Sequence, residues 1–243
     1  MTKTIIIVED DNDKHTFEAI IRYFNLSEQI NVSITPPLIE WKSVQDERNT
    51  EKPTALIRAL VGLRNDFNKE KYDKVGIIRD MDDRTKEERI SLINNALKEA
   101  YPDEVNAEIE DVNSLLPITF IQNSTENELT IRFACHFVNL NGQGEIEDIL
   151  KAIKKLPSEI ADCIDAHLPE CLRNDDEKLR DKELVKLWIN HYLRYDTLTK
   201  ADRNSNYTKW ENVMKYRAED LFDFQQEIPE LQALVSFLRL LVS

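Results

Sequence analysis

Three groups of acidic residues stand where short apolar runs or a glycine turn give out. Glu9, Asp10 and Asp13 follow the run 5–8, Asp80, Asp82 and Asp83 follow 75–79, and Glu147 and Asp148 follow the turn 141–144. Carboxylates crowded together repel one another unless a divalent cation neutralises them. Mg²⁺ takes hard oxygen ligands, usually one or two carboxylates completed by waters and substrate phosphate oxygens. The chemistry this suits is phosphoryl transfer. Two ions roughly 4 Å apart activate a water and stabilise the leaving oxygen; one ion, with Glu9 as general base or acid, is the simpler version. Asp80 and Asp82 are two apart, so in an extended chain both project to one side and reach the same ion while Met81 points away. Asp10 and Asp83 are placed to ligate through water. Taken singly, each acid reads equally as a helix cap or a solvated loop residue. Only the joint pattern points to a metal, Mg²⁺ with Mn²⁺ as a substitute.

The elements that must position these acids alternate. Residues 5–8 are β-branched and read as a buried strand. Residues 13–25 follow as a helix with Asp13 as N-cap and Phe17, Ile20, Ile21 and Phe24 on one face. Strand patterns recur at 31–35, 75–79, 117–122 and 129–139, and helical patterns at 54–68, 85–99 and 145–155. Strands alternating with helices of this length predict an α/β fold with a mostly parallel sheet, whose strand ends share one rim where ligands sit. Past residue 156 the strand signals stop, and 158–172, 178–195 and 229–242 read as helices. The expected organisation is an α/β core over 1–155 with a helical extension, 156–243, packed on it. The terminal run 233–242 either docks on that core or forms a subunit contact, so an oligomer stays open.

Composition narrows the class. The chain has 243 residues, 41% of them hydrophobic and 32% charged, with 4 Gly and 3 Cys. An odd cysteine count with no close pair fits a reducing cytoplasm. The longest apolar stretch, 231–242, is broken by Arg239 and is too short to span a bilayer. No basic-then-apolar leader precedes the strand that begins by residue 4. The four His residues show no zinc spacing, and Cys135 and His136, adjacent on a strand, point to opposite faces. No phosphate-cradling P-loop is present, so the chain is not expected to hydrolyse nucleotides alone. The net charge of −14 runs against unaided binding of a polyanion.

The residues Val8-Glu9-Asp10-Asp11-Asn12-Asp13 resemble the Toprim motif, Glu-Gly-x-x-Asp after a first strand, and Ile77-Ile78-Arg79-Asp80-Met81-Asp82-Asp83 resembles its Asp-x-Asp strand. Toprim domains occur in topoisomerases, primases, recombination mediators, ribosomal-RNA maturases and overcoming-lysogenisation-defect nucleases. Small stand-alone Toprim-like proteins pair the core with a Gly-x-x-Glu-Asp-hydrophobic-Leu segment, here Gly144 to Leu150, and an aromatic-Asp-Phe element before a last helix, here Phe222-Asp223-Phe224. The likeness covers most of the chain and is most specific in its first half. It implies a Toprim/Rossmann-like fold and a Mg²⁺-dependent nuclease in which Glu9 is the catalytic or metal-linked acid. Asp80 and Asp82 are then the main metal ligands, supported by Asp13, Asp83 and Glu147. It also implies work with a protein partner such as an ATPase, in defence or nucleic-acid processing. One departure is that Asp10 stands where the family carries Gly, which puts the loop geometry in question.

Cations near these segments suggest how a phosphodiester would be held. Arg79 and Arg84 flank the Asp-x-Asp, and Lys209 and Trp210 belong to a basic and aromatic stretch of the kind that stacks single-stranded DNA or RNA. Lys182 and Lys186 are the positions from which a lysine of the C-terminal part would reach the rim and stabilise transition-state charge. A solvated helix face accounts for most such charge runs equally well. Two other functions fit the same residues: a non-catalytic Toprim-like scaffold whose acidic rim binds metal or a basic protein, and a hydrolase of small phosphorylated molecules.

Overall fold

A computed structural model of the chain describes residues 4–26, 30–34, 54–67, 72–82, 84–122, 126–142, 144–171, 181–200, 202–204 and 208–242. Its centre is a five-stranded sheet in the order β2-β1-β3-β5-β4. The strands are β1 (Thr4–Val8), β2 (Ile30–Ile34), β3 (Lys74–Asp80), β4 (Leu116–Ile121) and β5 (Glu128–Val138). β2, β1, β3 and β5 run parallel, and β4 returns antiparallel along β5. The fold is therefore α/β with a mostly parallel sheet, as the alternation of patterns predicts. Every residue of β1 is buried, as a strand covered on both faces requires.

Two cores lie on the two faces of that sheet. On one, Ile5, Ile7, Val75, Ile77, Phe133 and Cys135 pack against helices α2 (Thr54–Phe67) and α3 (Lys86–Ala100). On the other, Ile6, Val8, Ile78, Ala134 and Val138 pack against α1 (Asp11–Tyr23) and α4 (Ile146–Ala152), and against helices from the C-terminal part of the chain. Cys135 and His136 do face opposite ways: Cys135 joins the first core, while His136 stacks on Phe237 on the other side.

The helices after residue 156 thus join α1 and α4 in the core on the second face of the same sheet. They are α5 (Glu159–Cys171), α6 (Asp181–His191), which runs on as a π-helical turn over Tyr192–Asp196, α7 (Trp210–Tyr216), α8 (Ala218–Leu221) and α9 (Pro229–Val242). The short pair α7 and α8 has no strong helical periodicity and escapes the sequence reading. Helix α9 settles the question left open for the terminal run. It docks on the sheet, burying Leu231, Leu234, Phe237, Leu238 and Leu241. The last carbonyls of α9 are capped by the sheet, Leu241 by the Thr4 hydroxyl at 2.8 Å and Leu240 by the Lys74 ammonium at 3.0 Å.

The close approach of α9 is permitted by Gly76. A Cβ there would meet Leu241 Cδ1 at 2.4 Å and Phe237 Cζ at 3.4 Å. Gly76→Val is expected to destabilise the chain by about 1–3 kcal/mol through overpacking, read as a lower urea midpoint in equilibrium unfolding. An unchanged midpoint would mean that α9 is not seated on β3.

Candidate active site

Chain order makes the site. β1 connects through α1 on one face to β2, and α2 on the opposite face then leads to β3 on the other side of β1. The connections therefore part at the carboxyl ends of β1 and β3, the crevice where open α/β sheets take their ligands. Ile7 lies opposite Ile77. Two residues further on, Glu9 meets Arg79, Nε to Oε1 at 3.5 Å. Asp80 ends β3 beside Val138 of β5, and the turn after β5 brings in Glu145 and Glu147. Helices α1, α3 and α4 all begin at this rim, and the first N–H groups of α1 and α3 are taken by the chain's own caps, Asp10 and Thr85.

The first loop differs from the expectation in a way that resolves the Asp10 question. The N-cap of α1 is Asp10, whose carboxylate accepts from the N–H groups of Asn12 at 2.7 Å and Asp13 at 3.0 Å. Asp13 sits within the first turn, and its carboxylate accepts the Asp10 N–H at 3.3 Å. The reciprocal box fixes both side chains. Asp10 has φ −145°, extended backbone open to any residue, so glycine is not needed. Asp13 is thereby turned inward and buried.

The second loop corrects the reading of Asp80 and Asp82 as an extended pair aimed at one ion. Asp82 has φ +49°, so extended alternation stops after Asp80. Its N–H bonds the Gly144 carbonyl at 3.3 Å, and its carboxylate takes Arg89 of α3 at 2.5 Å. Asp80 lies instead in the field of Asp13, Glu9, Glu147 and Glu145. Asp83 lies outside the described residues.

The third loop turns at Gly144. Its φ of +93° suits glycine, and a Cβ would fall 2.3 Å from Asp148 Oδ2. Asp148 Oδ2 accepts the Glu145 N–H at 2.8 Å and so closes the start of α4. Glu230 of α9 holds the same turn through the Asn141 N–H at 2.9 Å. Glu145, missed by the sequence reading, is buried, and its Oε2 lies 2.6 Å from Lys186 Nζ. Lys186 also stands 3.9 Å from Glu147 Oε1. A buried glutamate just ahead of the Glu147-Asp148 pair was visible in the sequence, but only the path of α6 reveals its partner.

The electrostatics follow from crowding. Burial raises the Glu9 carboxyl above its ordinary range against the pull of Arg79 and Arg89. Burial, then neighbouring carboxylates, raise Asp13 and Asp80 well above theirs. Glu147 is pushed by burial from 4.5 to about 7 although Lys186 opposes it. Lys186 is raised, its loss of solvent outweighed by Glu147 and Glu145. Five carboxylates (Glu9, Asp13, Asp80, Glu145 and Glu147) therefore face Arg79 and Lys186, while Asp82 pairs with Arg89 and both act on Glu9.

Hard oxygen donors in such excess fit a divalent cation of the Mg²⁺ type. They do not form a closed cage: among the described residues no three His, Cys, Asp or Glu side chains converge tightly enough to hold an ion by themselves. A hydrated ion held by one or two carboxylates is the form compatible with both observations.

The cations expected to hold nucleic acid are distributed unevenly. Arg79 is buried, and its guanidinium faces Glu9, so it acts within the cluster rather than as an outward phosphate contact. Arg84 is partly exposed beside the second loop, and Lys209 is exposed ahead of α7. The Trp210 indole N–H is committed to the Asn12 carbonyl at 3.0 Å and the Thr16 hydroxyl at 3.1 Å, which ties α7 to the first turn of α1. Lys182 falls in α6, but its side chain lies outside the described residues. Among the described residues no helix is long and apolar enough to cross a membrane.

A family model described as a protein of unknown function (DUF3226) matches residues 3–243. No curated protein and no solved structure matches the chain. The chain belongs to the DUF3226 family.

Proposed function

We propose that this DUF3226 chain is a Mg²⁺-dependent phosphodiester hydrolase, a nuclease acting on DNA or RNA through a Toprim-like carboxylate site. The observation that carries the reading is the convergence of the β1, β3 and β5 ends at the switch point of the sheet, with buried carboxylates in excess of their counter-ions. Asp80 and Asp13 would hold the hydrated ion, with Glu9 left free for the water and Glu147 behind them. A bound Mg²⁺ supplies Lewis-acid polarisation of a phosphate oxygen and an acidified water. The remaining work belongs to the chain. Glu9, 3.5 Å from Arg79, takes or returns a proton at the attacking water, and burial, by raising its carboxyl, makes it a stronger base than an exposed glutamate. The dipoles of α1 and α3 favour a phosphate at this rim, and Lys186 offsets charge that develops on it.

A second reading, a non-catalytic acidic scaffold for a metal or a basic protein partner, draws support from the ion pairs already made by Arg79, Arg89 and Lys186 and from the −14 charge. One titration separates the two. With Mn²⁺ or Mg²⁺ added, the hydrolase binds the ion and nicks supercoiled DNA or cleaves RNA; the scaffold shows no turnover at any metal concentration. An ATPase partner, if required, would be revealed by turnover only in its presence.

A further inference from the structure

We infer that the Lys186 ammonium occupies the position a second divalent ion would take, so that this site holds a single ion; the inference rests on the carboxylate–cation reading above. Lys186 reaches across from α6 to the start of α4, 2.6 Å from Glu145 Oε2 and 3.9 Å from Glu147 Oε1. Asp80 contributes to the same field. Holding carboxylates of one element beside a carboxylate of another is the task a divalent ion performs in a two-ion site. The ammonium is within donor reach of Glu145 and within ion-pair distance of Glu147, so its one charge serves both carboxylates.

The pairing is built in. Glu145 is buried, its backbone N–H is held by Asp148, and its side chain meets Lys186 of α6. A divalent ion placed between Glu145 and Glu147 would displace a like-charged group from contact. Glu9 has Arg79 at 3.5 Å as its neighbouring cation and shares one field of carboxylates with Asp13 and Asp80, of which Asp80 also acts on Lys186. That field suits one hydrated ion.

Nearly half of the Lys186 side chain, 48%, is exposed, so its replacement opens no core cavity, and the charge uncovered on Glu145 and Glu147 is what a second ion would neutralise. The test is Mn²⁺ stoichiometry on the full chain, by calorimetric titration and by the electron paramagnetic resonance of free and bound Mn²⁺. The native chain is expected to bind one Mn²⁺, Lys186→Met two, with spin–spin broadening from the coupled pair, and Lys186→Arg one. Lys186→Gln serves as a second neutral variant, and far-UV circular dichroism checks that each chain is folded. Two ions on the native chain overturn the inference. One ion on every folded variant overturns it while leaving the metal site standing. No binding by the native chain overturns both.

Discussion

Asp80→Asn is expected to abolish metal-dependent cleavage, by at least about a hundredfold, while raising the thermal midpoint of the metal-free chain. The loss follows from removing the acid that the other four carboxylates surround, in a reaction whose rate depends on held charge and positioned proton transfer. The gain follows from the same crowding. Asp80 sits among Asp13, Glu9, Glu147 and Glu145, and burial holds its carboxyl well above the ordinary range, so its ionised form opposes folding. Asparagine keeps the shape and removes the charge. A residue retained for structure would show the opposite sign, a lower midpoint on substitution. Glu9→Ala is expected to lose cleavage to a similar degree with the fold intact. Nicking of supercoiled DNA and cleavage of RNA measure the first effect, and scanning calorimetry in chelator the second. Full activity in both variants would remove the site assignment, and a lower midpoint for Asp80→Asn would make the acid structural.

What could be read from the sequence is what depends on local pattern. The β-branched run at 5–8, the helical spacing of Phe17, Ile20 and Ile21, and the alternation along β5 each specify an element without reference to the rest of the chain. α9 is bounded as its periodicity predicts, Pro229–Val242, because proline suits a first helical turn. What failed was set by contacts between elements. The conformation of Asp82 depends on its bond to the Gly144 carbonyl and on Arg89, neither of which a two-residue alternation can anticipate. The cap of α1 moved from Asp13 to Asp10 because both acids satisfy the preference, and the reciprocal hydrogen bonds choose between them. Arg79, read as a phosphate contact, is held inside by Glu9. Glu145 drew no notice because its meaning comes from Lys186, on a helix that arrives from much later in the chain.

In chelator the chain is expected to lose stability as pH rises from about 5 to about 8, and divalent cation is expected to restore it over the same interval. The sign comes from Glu147, whose folded pKa is raised, to about 7 from 4.5. A carboxyl raised in the folded state contributes stability that is fully present below its unfolded pKa and is lost as pH rises through the folded value. At about 1.4 kcal/mol per pH unit of difference, the contribution is about 3 kcal/mol, or roughly 5–10 °C for a domain of this size. Asp13 and Asp80, also raised, act in the same direction. Lys186 does not oppose it in this interval, since its own raised pKa lies beyond it. His136 does oppose it up to about pH 6.5, because burial lowers its imidazole from 6.5 to about 4, but the raised carboxylates outnumber it. Asp162, whose carboxyl is lowered by Ser158, Trp188 and Lys154 against its burial, loses its contribution only below the interval, on acidification. Mg²⁺ binds the ionised carboxylates, so its stabilisation must grow where theirs is lost. Thermal midpoints at intervals of pH, with and without Mg²⁺, measure both slopes. Glu147→Gln should flatten the chelator curve while leaving the acid limb governed by Asp162 unchanged. A native midpoint that rises from pH 6.5 to 8 in chelator, above the range in which His136 contributes, would show that the carboxylates are neutralised by the chain's own cations, and the case for a metal would fall with the slope.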